Sequence, residues 1–312
     1  MALAESFLQA LEEIVPVRRN EPIALHTTFR IGGPAEAYVR CNDGETLSRV
    51  VALAYESDAP LFIMGGGSNL LVSDKGMTGV VVETWTNANT TFPMIDGNDE
   101  VCFSTYSGTP LPRLATNAAK VGLSGLEWAI GIPGTVGGGV VNNAGAHGGS
   151  VSELIRSVRV CSKDGKQTIS AQQLGFAYRA SIFKHKSAGC APSMVVLSAE
   201  LALRPDDPAK IRERMAEHSE YRRSTQPSQR SIGSIFKNPP DNAAGRLLEQ
   251  AGVKGHRVGD AQISTKHANF IVNRGNATAA EVTELMAYAQ DKVRTAFGVE
   301  LEPEIQRVGE GF

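Results

Sequence analysis

Two glycine-rich tracts, each bounded by apolar runs, constrain this chain more than any other feature. The first is LFIMGGGSNLLVS at residues 61 to 73, and the second lies within GLSGLEWAIGIPGTVGGGVVNNAGAHGGS at residues 122 to 150. Glycine permits backbone conformations and close approaches that a Cβ forbids. Three in a row between strand-like segments therefore imply either a turn or a ligand lying against the backbone. Exposed N–H groups in such a turn form an anion nest, to which Ser68 and Asn69 can add side-chain hydrogen bonds. Neither tract has the Gly-Lys-Ser/Thr ending of a phosphate loop or the Gly-x-Gly dinucleotide fingerprint. One tract alone reads as an ordinary turn. Two of them beside strand-like runs point to a large phosphate-bearing cofactor lying across an α/β body.

The segments around the tracts supply that body. Residues 45–57 place Leu47, Val50, Val51 and Ala54 on one helical face, and GVVVE (79–83) is a short strand, giving a βαββ unit. VCFSTYSG alternates like a strand, PLPRLATNAAKVG reads as a helix ended by Gly122, and 157–162 and 194–203 read as strands. FAYRASIFK (176–184) reads as an apolar strand with Arg179 inside it. Beyond residue 205 the composition shifts. Asp207 and Pro208 open a helix, AAGRLLEQAG forms another, and HANFIVN and VELEPEIQRVG read as strands. Thr278 and Glu281 make a capping box for a helix that turns Val282, Leu285, Met286, Ala289 and Val293 inward and ends at Gly298. Length and this shift imply two domains divided near residue 205.

Charge and cysteine usage exclude several function classes. Lys and Arg number 31 against 33 Asp and Glu, a net charge of −2 that gives no basic footprint for nucleic acid. The four cysteines, at 41, 102, 161 and 190, form neither a CxxC pair nor a disulfide framework, which suits reduced thiols in a cytoplasm and no metal site. The start of the chain, with Phe7, Leu8, Leu11 and Ile14 at helical spacing and Glu5, Glu12 and Glu13 between them, is an amphipathic helix rather than a secretory signal. No membrane insertion and no obligate protein partner are expected.

Four further stretches carry candidate chemistry. An arginine among apolar residues at 179 is costly unless it is paired, reaches the surface, or grips an anionic group. Ser234 in SIGSIFKNPP has no nucleophile elbow or nearby histidine, so it is a proton donor or hydrogen-bonder if it is not merely structural. Glu302 and Glu304 fall on one face of a regular strand. His256 and His267 lie in different segments and suggest no metal.

The segments TTFRIGGPA (27–35), MGGGSNLLV (64–72), GIPGTVGGGVVNNAGAHG (131–148), AYRASIF (177–183), GSIFKNP (233–239), AGRLLEQAGVKG (244–255), KHANFIVN (266–273) and LEPEI (301–305) together resemble one family. It is the UDP-N-acetylenolpyruvoylglucosamine reductases, flavoenzymes that make UDP-N-acetylmuramate for bacterial peptidoglycan. The resemblance implies an α+β fold. Residues 1–20 would be a leading helix, and 21–205 a vanillyl-alcohol-oxidase-type FAD-binding domain with subdomains of about 21–85 and 86–205. Residues 206–312 would be a smaller substrate-binding domain. It implies FAD and NADPH as cofactors and UDP-N-acetylglucosamine enolpyruvate as substrate.

Carried over by position, Gly65, Gly66, Gly67, Ser68, Asn69, Leu70, Pro133, Gly134, Thr135, Gly137 and Gly138 would hold FAD. Arg179, Ser234 and Glu304 would be catalytic, and Tyr178, Lys237, Asn238 and His267 would meet the substrate. One branch of the family carries a substrate-covering tyrosine loop after the arginine segment. The short connection between Phe183 and Arg212 implies that this chain resembles the branch without it, and Lys266-His267 stands where the longer branch has glutamines. Two other readings stay open on the residues: an oxygen-using flavoenzyme of the same fold, and a non-catalytic nucleotide-sugar binder.

Overall fold

The computed structural model describes residues 2–94, 99–184 and 192–312. Cys190, and part of the connection on which the expected lack of a tyrosine loop turns, lie outside the described residues. By internal contacts the chain forms two compact units. Unit 1 contains 1–19, 37–66 and 79–222, and unit 2 contains 20–36, 67–78 and 223–312.

In unit 1 the long apolar runs become buried strands. Strands Arg18–Pro22, Pro34–Cys41, Met77–Thr84 and Leu61–Met64 lie in that spatial order, the last two parallel with Leu61 opposite Val80. Met77–Thr84 is buried along nearly all its length, as expected of a parallel strand covered on both faces. Helix Gly44–Glu56 makes the crossover. Asp43 caps it by accepting the Thr46 N–H at 2.8 Å, and Leu47, Val50, Val51 and Ala54 are buried. Helix Glu5–Glu12 adds Phe7, Leu8 and Leu11 to the same core.

A second, antiparallel sheet runs Gly165–Ser170, Ile155–Ser162, Met194–Pro205, Val101–Tyr106. Val101–Tyr106 alternates buried and exposed residues, the signature of a sheet with one wet face. Helix Leu111–Lys120 packs Leu111, Leu114, Ala115, Ala118 and Ala119 into the core behind it.

Unit 2 is built from an antiparallel sheet of Arg257–Val258, Ala261–Ile263 and Ile271–Asn273 with helices Ala244–Gln250 and Ala279–Phe297. A parallel pair, Leu70–Val72 with Gln306–Val308, completes it. The capping box at Thr278 and Glu281 is formed, and Gly298 ends the long helix in the left-handed region at φ 67°.

The structural division departs from the expected boundary near 205. Helix Pro208–Thr225 buries Ile211 and Met215 with the unit 1 core, so the chain leaves unit 1 only at Arg222. Conversely, Phe29, Ile31 and Leu71 are core residues of unit 2. HANFIVN is strand only at Ile271–Asn273, and the last strand is only Gln306–Val308. Among the described residues no helix is long and apolar enough to cross a membrane.

A half-buried ion cluster in unit 1 yields a pH prediction. Glu127, 7% exposed, accepts hydrogen bonds from Arg214 at 2.6 Å, the Ser124 hydroxyl at 2.8 Å and the Gly125 N–H at 2.7 Å. Burial pushes its carboxyl up, but Arg214 and the other donors outweigh that and hold it below the usual range. A carboxyl with a lowered folded pKa stabilises the fold above its unfolded value, and the benefit is lost as pH falls through the folded value. Glu127→Gln is therefore expected to lower the Tm at neutral pH. The gap to wild type should close as pH drops below the ordinary glutamate value of about 4.3. Melting curves from neutral to acid pH check this, and a gap that stays constant would exclude it.

Candidate active site

The two glycine tracts meet within unit 1. A Cβ on Gly65 would lie 2.3 Å from Thr135 Oγ1, and one on Gly66 would lie 3.3 Å from the Trp85 ring and 3.7 Å from Gly134 Cα. Gly67, already in unit 2, takes φ 59°. At Gly65 the missing side chain is thus explained by the second tract itself.

That second tract is stitched to the 107–111 segment. Gly137 N donates to Ser107 O at 2.7 Å, Val136 N to Thr109 O at 2.9 Å and Leu111 N to Gly134 O at 3.0 Å. Helix Val136–Asn142 then begins with Thr135 as its cap and ends at Asn143 in the left-handed region. Three consecutive glycines have poor helix propensity. Close packing overrides that, since Cβ atoms would lie 2.9 Å from Ser107 at Gly137 and 3.2 Å from Val151 at Gly139.

Two observations fit a bound cofactor here. A Cβ on Gly138 would meet only Thr135 Oγ1, at 3.8 Å, so this glycine leaves open space beside the helix start. The Ser107 hydroxyl, 1% exposed, meets no hydrogen-bond partner among the described residues. Ser68 and Asn69 lie in unit 2. There Asn69 is already engaged, its side chain donating to Glu304 O at 3.3 Å and its carbonyl accepting the Gln306 N–H at 2.9 Å. Leu70 is buried in the parallel pair.

The Arg179 segment is a tight turn, not a strand interior. Ala177 and Ala180 exchange both backbone hydrogen bonds at 3.1 Å, leaving Tyr178 and Arg179 at the tip. Arg179 takes φ 55°, strained for a non-glycine residue. Its guanidinium lies 5.4 Å from the Tyr178 ring centroid, and Tyr178 is exposed. Arg179 is not sealed among apolar neighbours, because it sits at the turn tip and is only half-buried. Asn143 fastens the turn to the end of the glycine helix by donating to Ala177 O at 3.0 Å.

In unit 2 the GSIFKNP segment is clamped from both sides. Ile235 N donates to Asn269 O at 2.9 Å, and the Asn269 side chain bonds both the N–H and the C=O of Phe236. On the other edge Glu304 N donates to Ile235 O and Lys237 N to Glu302 O, each at 2.8 Å. Ser234 and Glu304 are thereby held on neighbouring backbones. Glu302 lies in no regular strand, since its neighbour Pro303 makes only an isolated bridge to Phe236. It is exposed and pairs with Lys237 Nζ at 2.5 Å.

Ser234, Asn238 and His267 all line one cavity of about 570 Å³, together with Arg246, Glu249 and Lys266. Asn238 accepts the Ala244 N–H at 3.0 Å and so also caps a helix. His267 accepts the Asn269 N–H on Nδ1 at 3.2 Å, and burial, then Lys254, pushes its pKa down. It is a neutral Nε2–H donor. Sequence reasoning missed Arg246 and Glu249, whose only signal was their place on the exposed side of AAGRLLEQAG.

Residues 35–170 match the family model described as FAD binding domain. Residues 226–308 match that of UDP-N-acetylenolpyruvoylglucosamine reductase, C-terminal domain. The chain is similar to UDP-N-acetylenolpyruvoylglucosamine reductase 2 of Symbiobacterium thermophilum, 44% identical over 97% of this chain and 96% of the relative. A Bacillus pumilus enzyme of that name is 39% identical over 96% of each chain. The crystal structure of the Thermus caldophilus UDP-N-acetylenolpyruvylglucosamine reductase superposes with a TM-score of 0.75 at 36% identity, covering 94% of this chain and 98% of that one. The fold is thus an FAD-binding domain with a C-terminal α+β part, and the chain belongs to the UDP-N-acetylenolpyruvoylglucosamine reductase family.

Proposed function

We propose that the protein reduces UDP-N-acetylglucosamine enolpyruvate to UDP-N-acetylmuramate with NADPH in the cytoplasm, supplying peptidoglycan synthesis. Unit 1 takes the FAD-binding role expected of 21–205, and unit 2 the substrate-binding role expected of 206–312. Unit 1 would hold FAD, and the chemistry that FAD would supply there when bound is hydride transfer from NADPH to the vinyl carbon farther from the substrate carboxylate. Gly66, Pro133, Gly134, Thr135, Gly137 and Gly138 hold the cofactor, with Gly65 setting the approach of the tracts and Gly67, Ser68, Asn69 and Leu70 continuing the site.

The chain's own residues do the rest. Arg179 binds the substrate carboxylate and opposes the negative charge that builds on it. Glu304 acts beside it on the same developing charge. Ser234 delivers the proton to the carbon bearing the carboxylate, balancing the hydride added to its neighbour. Asn238 and His267 orient the nucleotide-sugar, and Tyr178 packs against it. Lys237 acts through its pair with Glu302.

The observation that carries this reading is the clamp on Ser234. Ser234 lies on the wall of a ligand-sized cavity, and the residue after it, Ile235, is held by backbone hydrogen bonds to both Asn269 and Glu304. The test is an anaerobic titration. One equivalent of NADPH should bleach the flavin absorbance, and the enolpyruvyl nucleotide-sugar should restore it. Bleaching reversed only by oxygen would leave the fold reading intact and remove the substrate. Protein that binds no FAD would remove both.

A further inference from the structure

The unit 2 cavity contains a cation with no assigned role. Resting on the nucleotide-sugar reading above, we infer that Arg246 is the residue that grips the substrate's diphosphate. The other charged groups on this cavity are already committed. Glu249 is ion-paired with Lys254, and Lys266 Nζ donates to the Arg223 carbonyl at 2.5 Å. Lys237, the cation that the family resemblance implies would meet the substrate, is held by Glu302. His267 is neutral and contributes a hydrogen bond rather than a charge.

Arg246 lines the cavity, and its guanidinium meets no hydrogen-bond or ion-pair partner among the described residues. Its backbone is fixed because the next two residues, Leu247 and Leu248, are buried in the unit 2 core. A planar fork of donors on a fixed helix matches two phosphate oxygens at once, which a lysine ammonium cannot do. With Glu249 neutralised by Lys254, Arg246 and Lys266 leave the cavity wall net positive. Its volume of about 570 Å³ falls in the range of small-molecule sites.

The test compares uridine with UDP by isothermal titration of the flavin-loaded protein, wild type against Arg246→Gln and Arg246→Lys. Wild type should bind UDP more tightly than uridine. Arg246→Gln should weaken UDP at least tenfold and leave uridine unchanged, with Arg246→Lys in between. In turnover the KM for the enolpyruvyl nucleotide-sugar should rise by the same factor, while kcat and the bleaching by NADPH stay as in wild type. UDP affinity within twofold of wild type in Arg246→Gln would overturn the assignment, as would a wild type that binds UDP no better than uridine. A wild type that binds UDP through Arg246 yet fails to reduce the enolpyruvyl compound would leave the assignment standing and sink the reductase reading alone.

Discussion

Replacing Ser234 with alanine is expected to leave the bleaching of the flavin by NADPH nearly unchanged. It should slow the return of absorbance on adding the enolpyruvyl nucleotide-sugar by about 10²–10⁴-fold, the usual worth of a positioned general acid. The substitution is structurally mild. The backbone bonds that fix the segment belong to Ile235, Phe236 and Lys237, and none uses the Ser234 hydroxyl. Loss of rate therefore reports the proton and not the fold. A serine hydroxyl is a weak acid, so the effect depends on placement, which the flanking Asn269 and Glu304 backbones supply. Stopped-flow traces of the two half-reactions decide the matter, and equal slowing of both would remove Ser234 from the proton's path.

The second large effect separates the two glycines that touch Thr135. Gly65→Ala places a Cβ 2.3 Å from Thr135 Oγ1 and 3.2 Å from its Cγ2, against a side chain that is 1% exposed. Thr135 also caps the glycine helix, its Oγ1 accepting the Gly138 N–H. Overpacking of this kind costs about 1–3 kcal/mol. Gly65→Ala should thus lower the Tm of flavin-free protein and lose FAD as a consequence.

Gly138→Ala meets nothing closer than 3.8 Å, and alanine improves helix propensity by about 1 kcal/mol. Flavin-free protein should keep or raise its Tm while FAD affinity falls at least tenfold, because the new methyl occupies the open space beside the helix start. Tm and FAD titration on both variants check this. Gly138→Ala with wild-type FAD affinity would place the cofactor away from the helix start.

The sequence made the βαββ unit legible because its signals are local. The apolar run Val80, Val81 and Val82 reads as a strand covered on both faces, and Leu47, Val50, Val51 and Ala54 repeat at the helical period. The glycine tracts were legible as sites of close approach, but not as to what approaches. At Gly65 the partner is Thr135, some seventy residues on in the chain, and no local pattern encodes that. Arg179 was misplaced within a strand because its neighbours are apolar. The exposed Tyr178 and Ile182 beside buried Ser181 and Phe183 follow from the turn between Ala177 and Ala180. The strands Arg257–Val258 and Ala261–Ile263 are too short and polar to announce themselves, and they form because Ile271–Asn273 offers a paired edge. Ser234 and Glu304, some seventy residues apart, are held on neighbouring backbones by the bond from Glu304 N to Ile235 O, which no side-chain pattern encodes. For these two, the resemblance of GSIFKNP and LEPEI to a known family supplied what periodicity could not.

Unit 2 is drawn from three separate stretches of chain, and this governs how it can come into being. Residues 223–312 cannot mature alone. Without 20–36 they lack the Phe29 and Ile31 side chains that fill their core, and without 67–78 they lack Leu71 and the strand beside Gln306–Val308. Its earliest pieces must wait through the synthesis of most of unit 1 before their partners exist. Closure over so many residues is slow, because chain entropy must be spent before the distant contacts repay it. The portion that family similarity marks off at 226–308 is therefore a unit of descent but not a unit of folding. Severed at that boundary, it should be a chain of short strands and helices with an unfilled centre.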